Sequence, residues 1–210
     1  IMAGRSVIFL APEVSLARRF EQLFARDLGD GVAVYGFYSG VTKTARQALW
    51  QHMLAGKPMV IVGVHLPILL PCANLGLILV DEEHETGFEE KQHPRVNSKY
   101  AALLRARQYK LPIVLGSATP SVATWYHARQ QGWTICHLTK RFGGAIAQIE
   151  HVVLGPARTR RHFWFSEVLL AAITKTLAAG EQIIVYLNRR GYSGCAQCTE
   201  CGHRFMCSDC

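Results

Sequence analysis

The sequence lacks several features that would place it in an easily recognised class. Its 210 residues contain no internal repeat of fixed period, no low-complexity segment and no Gly-x-x-x-x-Gly-Lys-Ser/Thr loop. Coiled-coil, collagen-like and mucin-like architectures are therefore excluded, and these residues include no loop that cradles a nucleoside triphosphate. With 50% hydrophobic and only 18% charged residues, the chain can bury a core, and we expect one large domain or two small ones.

The sequence also lacks an uninterrupted apolar segment long enough to cross a membrane. Residues 59–80 carry no charge, but two glycines and two prolines interrupt them, which favours two buried strands joined by a loop. Near the start, Pro12 and Glu13 end the first apolar run before it reaches the length of a signal peptide. We therefore expect a cytoplasmic chain with no membrane partner.

Acidic residues are scarce and unevenly placed. Fifteen Asp and Glu oppose twenty-three Lys and Arg, and the net charge of +8 suits a polyanionic partner. The segment 81–93 nevertheless carries −5, so the rest of the chain carries +13. Its carboxylates, opposed by Lys91 alone, are Asp81, Glu82, Glu83, Glu85, Glu89 and Glu90. This acidic segment is the first candidate for a catalytic or metal-binding site.

Short apolar runs alternate with longer amphipathic segments, a pattern that predicts a parallel α/β sheet with helices on both faces. The expected strands are Val7–Ala11, Val32–Gly36, Met59–Gly63, Leu75–Val80, Ile113–Gly116 and Trp133–Leu138. The expected helices are Leu16–Arg26, Thr42–Ala55, Lys99–Gln108 and Val122–Gln131. A glycine-rich, basic stretch then marks a domain boundary, after which a helix, Ser166–Ala179, and a strand, Gln182–Leu187, resume the pattern.

The sequence Asp81-Glu82-Glu83-His84 directly follows a predicted strand, where ligands bind in open α/β sheets. Asp81 suits the binding of Mg²⁺, and Glu82 suits the orientation or deprotonation of the water that attacks a γ-phosphate. An extended backbone would let the two side chains diverge. A solvated acidic loop accounts equally well for four such residues, and a metal-dependent hydrolase using the Asp81–His84 cluster is a third possibility.

A second polar turn, Gly116-Ser117-Ala118-Thr119-Pro120, follows the next predicted strand. The hydroxyls of Ser117 and Thr119 are expected within reach of the acidic segment, where they would sense whether phosphate is present. The alternative is a simple turn with Ser121 as the N-cap of the following helix. A serine nucleophile elbow is excluded because the Gly-x-Ser-x-Gly spacing is absent.

The order of five motifs along nearly the whole chain resembles that of the primosomal protein N′ (PriA) family, replication-restart DNA helicases of superfamily 2. The motifs are Ala11-Pro12-Glu13, Asp81-Glu82-Glu83-His84, Gly116-Ser117-Ala118-Thr119-Pro120-Ser121, Asn188-Arg189-Arg190-Gly191-Tyr192 and the paired cysteines that follow. The last two motifs together are especially specific. Few other helicases place a cysteine-rich zinc module directly after the strand that precedes Asn188.

The resemblance implies a RecA-like fold and an ATP-dependent DNA helicase that remodels stalled forks and initiates primosome assembly. Residues 1–140 would form helicase lobe 1 without its N-terminal phosphate-loop part, 141–194 a connector and the start of lobe 2, and 195–210 the first half of a zinc-binding module. The implied cofactors are ATP, Mg²⁺ and two Zn²⁺. The implied partners are forked or single-stranded DNA, other primosome proteins and single-stranded-DNA-binding protein.

The resemblance also implies roles for individual residues. Asp81 and Glu82 match the Walker B pair and would contact Mg²⁺ and ATP, and Glu83 and His84 complete that motif. Ser117 and Thr119 match the motif that couples hydrolysis to DNA movement. Residues implied near DNA are Pro12, Glu13, Ser15, Phe88, Arg189 and Arg190. The chain alone is expected not to hydrolyse ATP; a zinc-containing nucleic-acid-binding protein with a degenerate, non-catalytic lobe is the alternative.

Two departures from the family pattern stand out. Gly63-Val64-His65-Leu66-Pro67 replaces Gly-Thr-Arg-Ser-Ala, so a DNA-contacting arginine is absent at His65. Val96-Asn97-Ser98-Lys99 replaces Tyr-His-Ala-Arg, so the loop from Glu85 to Lys99, which reports DNA occupancy in the family, is expected to work differently. Phe88 keeps an aromatic residue in this loop, either exposed to stack on a base or buried as an anchor.

The cysteine pairs Cys198–Cys201 and Cys207–Cys210 have the spacing of tetrahedral zinc ligands in a reducing compartment. Five residues between the pairs is short for a single four-cysteine site. In the family, a later pair completes each early one, so we hypothesise two half-sites with Cys195 as a bystander. Chains seldom end on a ligand, and we therefore expect this one to be cut at both ends. Cys72 and Cys136 are expected to pack as small hydrophobic residues.

Overall fold

The computed structural model describes residues 4–89, 95–140, 148–154, 165–186, 196–197 and 200–205. They divide into two compact units, Ile1–His137 and Leu138–Cys210. Within the described part of the chain, none of the helices is both long and apolar enough to span a lipid bilayer.

The first unit is built on a five-stranded parallel sheet. Its strands are β1 (Ser6–Leu10), β2 (Ala33–Phe37), β3 (Met59–Gly63), β4 (Leu75–Val80) and β5 (Ile113–Leu115), in the spatial order β2-β3-β1-β4-β5. Its helices are α1 (Val14–Asp27), α2 (Lys43–Leu54), α3 (Ser98–Tyr109) and α4 (Val122–Gln130), with short 3₁₀ turns at Leu66–Leu69 and Thr86–Phe88. This architecture confirms the predicted RecA-like α/β class.

Both faces of the sheet are covered, which explains why its strands are apolar at consecutive positions. Ile8 and Leu10 of β1 pack with Leu49 of α2 and Ala102 of α3 on one face. The intervening Phe9 packs on the other face against the aromatic rings of α1, with its ring centroid 4.5 Å from that of Phe20. Because neighbouring residues of a strand point to opposite faces, the unit has two hydrophobic layers that hold β1 in the middle.

Two predicted strands are not found. Residues 133–138 pair with no neighbour in the described structure, and neither do residues 182–186; Leu187 lies outside the described residues. Ile135 is more than one third exposed and Leu138 almost fully exposed. An apolar run indicates that its residues can be buried. A strand also needs a neighbouring strand to pair with, and the run itself does not specify one.

In the second unit, the described residues form one helix and a short antiparallel pair of strands. Helix α5 (Glu167–Ala178) begins at its N-cap, Ser166, whose hydroxyl accepts a hydrogen bond from the Leu169 N–H at 3.1 Å. Strand β6 (Ala196–Gln197) pairs with β7 (Arg204–Phe205). The second lobe and the zinc module stay predictions, because Arg189, Arg190, Cys198, Cys207 and Cys210 lie outside the described residues.

The described cysteines are all free thiols. Cys72 is buried, as predicted, and packs in the layer that holds Ile78. Cys136 is exposed, so its expected burial is wrong, because the segment that carries it forms no strand against the sheet. Cys201, a predicted zinc ligand, is also exposed.

Candidate functional site

Two polar loops meet at the carboxyl ends of β4 and β5, where they are joined through their backbones. We call residues 81–85 the acidic loop and residues 116–121 the hydroxyl turn. The N–H of Gly116 donates to the carbonyl of Val80 at 2.8 Å, and the N–H of Glu83 donates to the carbonyl of Gly116 at 3.0 Å. The N–H of Asp81 donates to Leu10 of β1 at 3.0 Å. The expected proximity of the two loops is therefore confirmed.

Asp81 occupies the first position of the acidic loop. A Cβ added to Gly116 would lie 3.1 Å from the Asp81 Oδ1, so glycine leaves room for the carboxylate. Among the described residues, no hydrogen bond or ion pair involves this carboxylate. Carboxylate oxygens are the ligands that Mg²⁺ prefers, and it commonly keeps several waters, so one or two protein carboxylates suffice. The position of Asp81 fits such an ion.

Glu82 adopts a left-handed backbone conformation, with φ of +49°. The expectation of an extended backbone at this position is wrong, because the loop turns back on itself and the Glu85 N–H donates to the Glu82 carbonyl at 2.9 Å. A non-glycine residue held there costs about 1–3 kcal/mol, which the surrounding contacts must offset. The turn leaves the Glu82 side chain 42% exposed. This carboxylate is open to water, as the orientation of an attacking water requires.

His84 connects the acidic loop to the hydroxyl turn through its side chain. Its Nδ1 lies 2.7 Å from the Ser117 Oγ and 3.5 Å from the Glu82 Oε2. The Ser117 Oγ also accepts a hydrogen bond from the Thr119 N–H at 3.0 Å, which shapes the turn. The Ser117 hydroxyl is therefore linked to the predicted acidic motif by one imidazole ring, and Thr119 takes part through its backbone N–H.

Glu83 is buried, with only 1% of its side chain exposed. Its carboxylate accepts hydrogen bonds from the Lys99 ammonium at 2.9 Å, the Ser121 N–H at 2.7 Å and the Thr124 hydroxyl at 2.7 Å. Burial alone would raise the pKa of Glu83, but these donors outweigh it and hold the pKa below its ordinary value. Glu83, which the motif groups with the catalytic residues, therefore anchors the acidic loop to α3 and α4.

Sequence reasoning did not find the partners of Glu83. Lys99 entered only as part of a departure from the family pattern, although it keeps a cation where that pattern has arginine. Thr124 was not singled out at all. The sequence does indicate that Glu83 needs a partner, because a carboxylate next to buried apolar strands must be paired. It does not indicate which cation or hydroxyl group reaches that carboxylate.

Beside this site, the loops after β1, β2 and β3 enclose a cavity of about 580 Å³, which we call the groove. Its lining residues are Pro12, Glu13, Val14, Phe37, Tyr38, Ser39, Arg46, Val64, His65 and Leu66. Ser15 stands on the first turn of α1, and its hydroxyl donates to the Glu13 carboxylate at 2.5 Å. Of the residues predicted near DNA, Pro12 and Glu13 therefore line the groove, and Ser15 contacts it through Glu13.

Phe88 is only 1% exposed and packs in the core layer with Ala102. The prediction that Phe88 exposes its ring to stack on a base is therefore wrong. The alternative prediction, that Phe88 is a buried anchor, is confirmed. The short turn Thr86–Phe88 carries the ring into this core layer, because a large aromatic side chain gains more by burial than by exposure.

A second cavity, of about 710 Å³, lies beside β5 and α4. Ser117 and Thr124 face it together with Trp125, Trp133 and Cys136. Glu83 of the acidic loop lines the same cavity, so both polar loops border this space.

Comparison with known proteins identifies relatives along the whole chain. No protein-family model matches. The replication restart protein PriA of Bacillus subtilis is 32% identical over 209 residues, which is 99% of this chain. PriA of Treponema pallidum is 33% identical over 208 residues, and PriA of Rickettsia typhi is 31% identical over 211 residues. The chain spans 26%, 31% and 32% of these three relatives. The resemblance inferred from the motifs is thus confirmed: the chain matches about a third of PriA.

Proposed function

We propose that this chain, which matches a segment of PriA, is part of an ATP-dependent DNA helicase that acts in replication restart. In this proposal the whole protein remodels stalled forks and initiates primosome assembly. The observation that carries it is the contact between His84 of the acidic loop and Ser117 of the hydroxyl turn, 2.7 Å apart at the ends of adjacent parallel strands. A solvated acidic loop does not require such a contact.

The acidic loop would supply the hydrolytic chemistry. Asp81, unpartnered among the described residues and held against Gly116, would hold Mg²⁺, which when bound neutralises charge on the phosphates. The exposed Glu82 carboxylate would orient the attacking water and accept its proton. His84, 3.5 Å from Glu82, would keep that carboxylate in place.

The hydroxyl turn would respond to the state of the acidic loop. The Gly116 carbonyl accepts from the Glu83 N–H, and the Ser117 hydroxyl contacts the His84 ring. A shift of the acidic loop on loss of the γ-phosphate would therefore move Ser117 and Thr119. This is the physical basis on which we assign them to the coupling of hydrolysis with DNA movement.

The groove would bind single-stranded or forked DNA. It combines the aromatic rings of Phe37 and Tyr38 with the guanidinium group of Arg46, and stacking surfaces with cations are typical of single-strand binding. The chain's net charge of +8 adds attraction to a phosphate backbone. Pro12 and Glu13 would form part of the wall of this groove.

Parts of the protein outside these 210 residues would complete the ATP site and the zinc sites. The chain has no phosphate loop of its own and spans about a third of its relatives, so the remainder of the protein would supply the ATP-binding loop. The cysteine pairs would each hold half of one of two Zn²⁺ sites. Other primosome proteins and single-stranded-DNA-binding protein would be partners of the whole protein.

The test uses the complete protein that contains this chain. We expect DNA-stimulated ATP hydrolysis in the wild type and a loss of about 100-fold or more in kcat for Glu82→Gln, with ATP binding retained. Asp30→Asn, which removes an exposed carboxylate in the loop between α1 and β2, is the matched control and should leave the rate unchanged. A wild-type protein that binds DNA and zinc without hydrolysing ATP would overturn the proposal in favour of a non-catalytic binding protein.

A further inference from the structure

Glu21 of α1 connects that helix to the end of β2 and to one aromatic ring of the groove. Its Oε1 accepts a hydrogen bond from the Gly36 N–H at 2.9 Å, and its Oε2 accepts one from the Tyr38 hydroxyl. The three residues can meet because position 36 has no side chain. A Cβ there would lie 2.5 Å from the Glu21 Oε2 and 2.7 Å from the Tyr38 Cε1. One carboxylate therefore holds both the end of the strand and the Tyr38 ring.

The Tyr38 phenol is the donor in its contact with Glu21. Burial raises the pKa of the phenol, and the hydrogen bond and negative charge of Glu21 raise it further, whereas Arg18 on the same helix opposes them. The phenol therefore keeps its proton, and it donates that single proton to Glu21. A ligand in the groove that meets Tyr38 finds an aromatic surface rather than a free hydroxyl donor.

The Tyr38 side chain is also supported by the core. It is half-buried and packs against the hydrophobic layer that contains Phe9 and Val62, and it lines the groove as well. Glu21 is not among the described residues that line the groove. Glu21 therefore acts on a ligand in the groove through Tyr38 rather than by direct contact.

The main chain of Tyr38 holds the cation of the groove. The Nη2 of Arg46 donates to the Tyr38 carbonyl at 3.4 Å, and its Cζ lies 6.0 Å from the centroid of the Phe37 ring. Tyr38 thus carries an aromatic surface at its side chain and a guanidinium group at its carbonyl. A nucleotide of a single strand offers the matching pair, because its base has a flat π-face and its phosphate has a negative charge.

We propose that Glu21 is a positioning residue of the groove, which fixes the Tyr38 ring beside Arg46 so that the two receive one nucleotide of a single strand. The base stacks on the ring and the phosphate lies at the guanidinium group. That the ligand is DNA rests on the proposed function. A ring that is already fixed loses no rotamer freedom when the base binds. Without Glu21 the ring has to be ordered during binding, so affinity falls although no contact with DNA is removed.

The first experiment is a double-mutant cycle that measures the affinity of the complete protein for a single-stranded oligodeoxynucleotide. We expect Glu21→Ala and Tyr38→Phe each to weaken binding about three- to tenfold, and the double variant to bind no more weakly than the worse single variant. Tyr38→Ala, which removes the stacking surface, should weaken binding about tenfold or more. Asp27→Ala removes an exposed carboxylate from the same helix and is the matched control. Losses that multiply, or an equal loss in the control, would overturn the role of Glu21.

The salt dependence of the same binding separates positioning from a general loss of structure. Glu21→Ala keeps the cation, so the slope of log affinity against log salt concentration should stay as in the wild type, whereas Arg46→Ala should reduce it by about 0.7, the value for one phosphate of a single strand. An equal reduction in Glu21→Ala would show that the groove has collapsed and would overturn the positioning role.

The variants also separate this inference from the proposed function. Weakened binding in Tyr38→Ala together with wild-type binding in Glu21→Ala and Tyr38→Phe would overturn the role of Glu21 alone. Wild-type binding in both Tyr38→Ala and Arg46→Ala would overturn the groove as a DNA site, and the role of Glu21 with it. Absence of DNA-stimulated ATPase in the complete wild-type protein would instead overturn the proposed function.

Discussion

The Nδ1 of His84 lies 2.7 Å from the hydroxyl oxygen of Ser117, although the two residues are 33 positions apart in the sequence. The contact crosses from the loop after β4 to the loop after β5. The same Nδ1 lies 3.5 Å from the Glu82 carboxylate, so His84 stands between that carboxylate and the hydroxyl turn. Its geometry explains why the two motifs occur together: each provides a hydrogen-bonding partner for the other.

Loss of the Ser117 hydroxyl should therefore slow hydrolysis in the complete protein. In Ser117→Ala, His84 loses its nearest partner and no longer restrains Glu82, so we expect kcat to fall about tenfold with little change in KM. Ser117→Thr keeps the hydroxyl and should retain most of the rate. Steady-state kinetics with saturating DNA measures both; an Ala variant as active as the Thr variant would contradict the prediction.

Replacement of Glu83 should destabilise the chain in a pH-dependent way. The pKa of Glu83 is held below its ordinary value, so the carboxylate contributes stability that is fully present above about pH 4.3 and is lost as the pH falls through the folded-state pKa. Glu83→Gln should cost about 2–3 kcal/mol at pH 7, since it leaves Lys99 without its counter-charge.

Urea denaturation of the wild type and Glu83→Gln at a series of pH values tests this. The gap in the free energy of unfolding should narrow as the pH falls below about 4.3. A gap of constant size across that range would show that the charge of Glu83 is not what stabilises the cluster. Glu85→Gln, at an exposed position in the same loop, is the control.

A methyl group at Gly87 should push the Thr86–Phe88 turn away from the groove. Its Cβ would lie 2.5 Å from the Pro12 carbonyl oxygen, and we expect Gly87→Ala to cost about 1–3 kcal/mol of stability. Gly31→Ala has open space around the added Cβ and should change stability by less than about 0.5 kcal/mol. Thermal unfolding of the two variants distinguishes them, and equal melting temperatures would refute the close approach.

Zinc binding by the 210-residue chain should be weak and below one ion per chain. If Cys198–Cys201 and Cys207–Cys210 are half-sites, neither pair offers Zn²⁺ the four ligands of a closed structural site. Titration with Zn²⁺ against a chromogenic chelator measures the affinity and stoichiometry. One tightly bound ion that protects all four thiols from alkylation would show instead that the two pairs form a single site.

Local patterns in the sequence were sufficient to predict most of the sheet and its helices. Strands β1 to β4 lie within one residue of the predicted runs, because helices cover both faces of the sheet and each strand therefore reads as an unbroken apolar stretch. The predicted helices of the first unit agree within two residues at each end, since a cap such as Ser121 and an apolar face are both encoded locally. The position of Asp81 and Glu82 at a strand end follows from the same patterns.

Only the tertiary structure decided which side chains meet. Periodicity identifies Leu75–Val80 as a strand, but it does not state that Glu83 beyond it is buried against Lys99 and Thr124, or that Phe88 turns inward. The apolar pattern also predicted a strand at residues 133–138, but in the described structure these residues pair with no neighbouring strand. The reason is physical: local propensity acts within a few residues, whereas burial and pairing depend on loops brought together from distant parts of the chain.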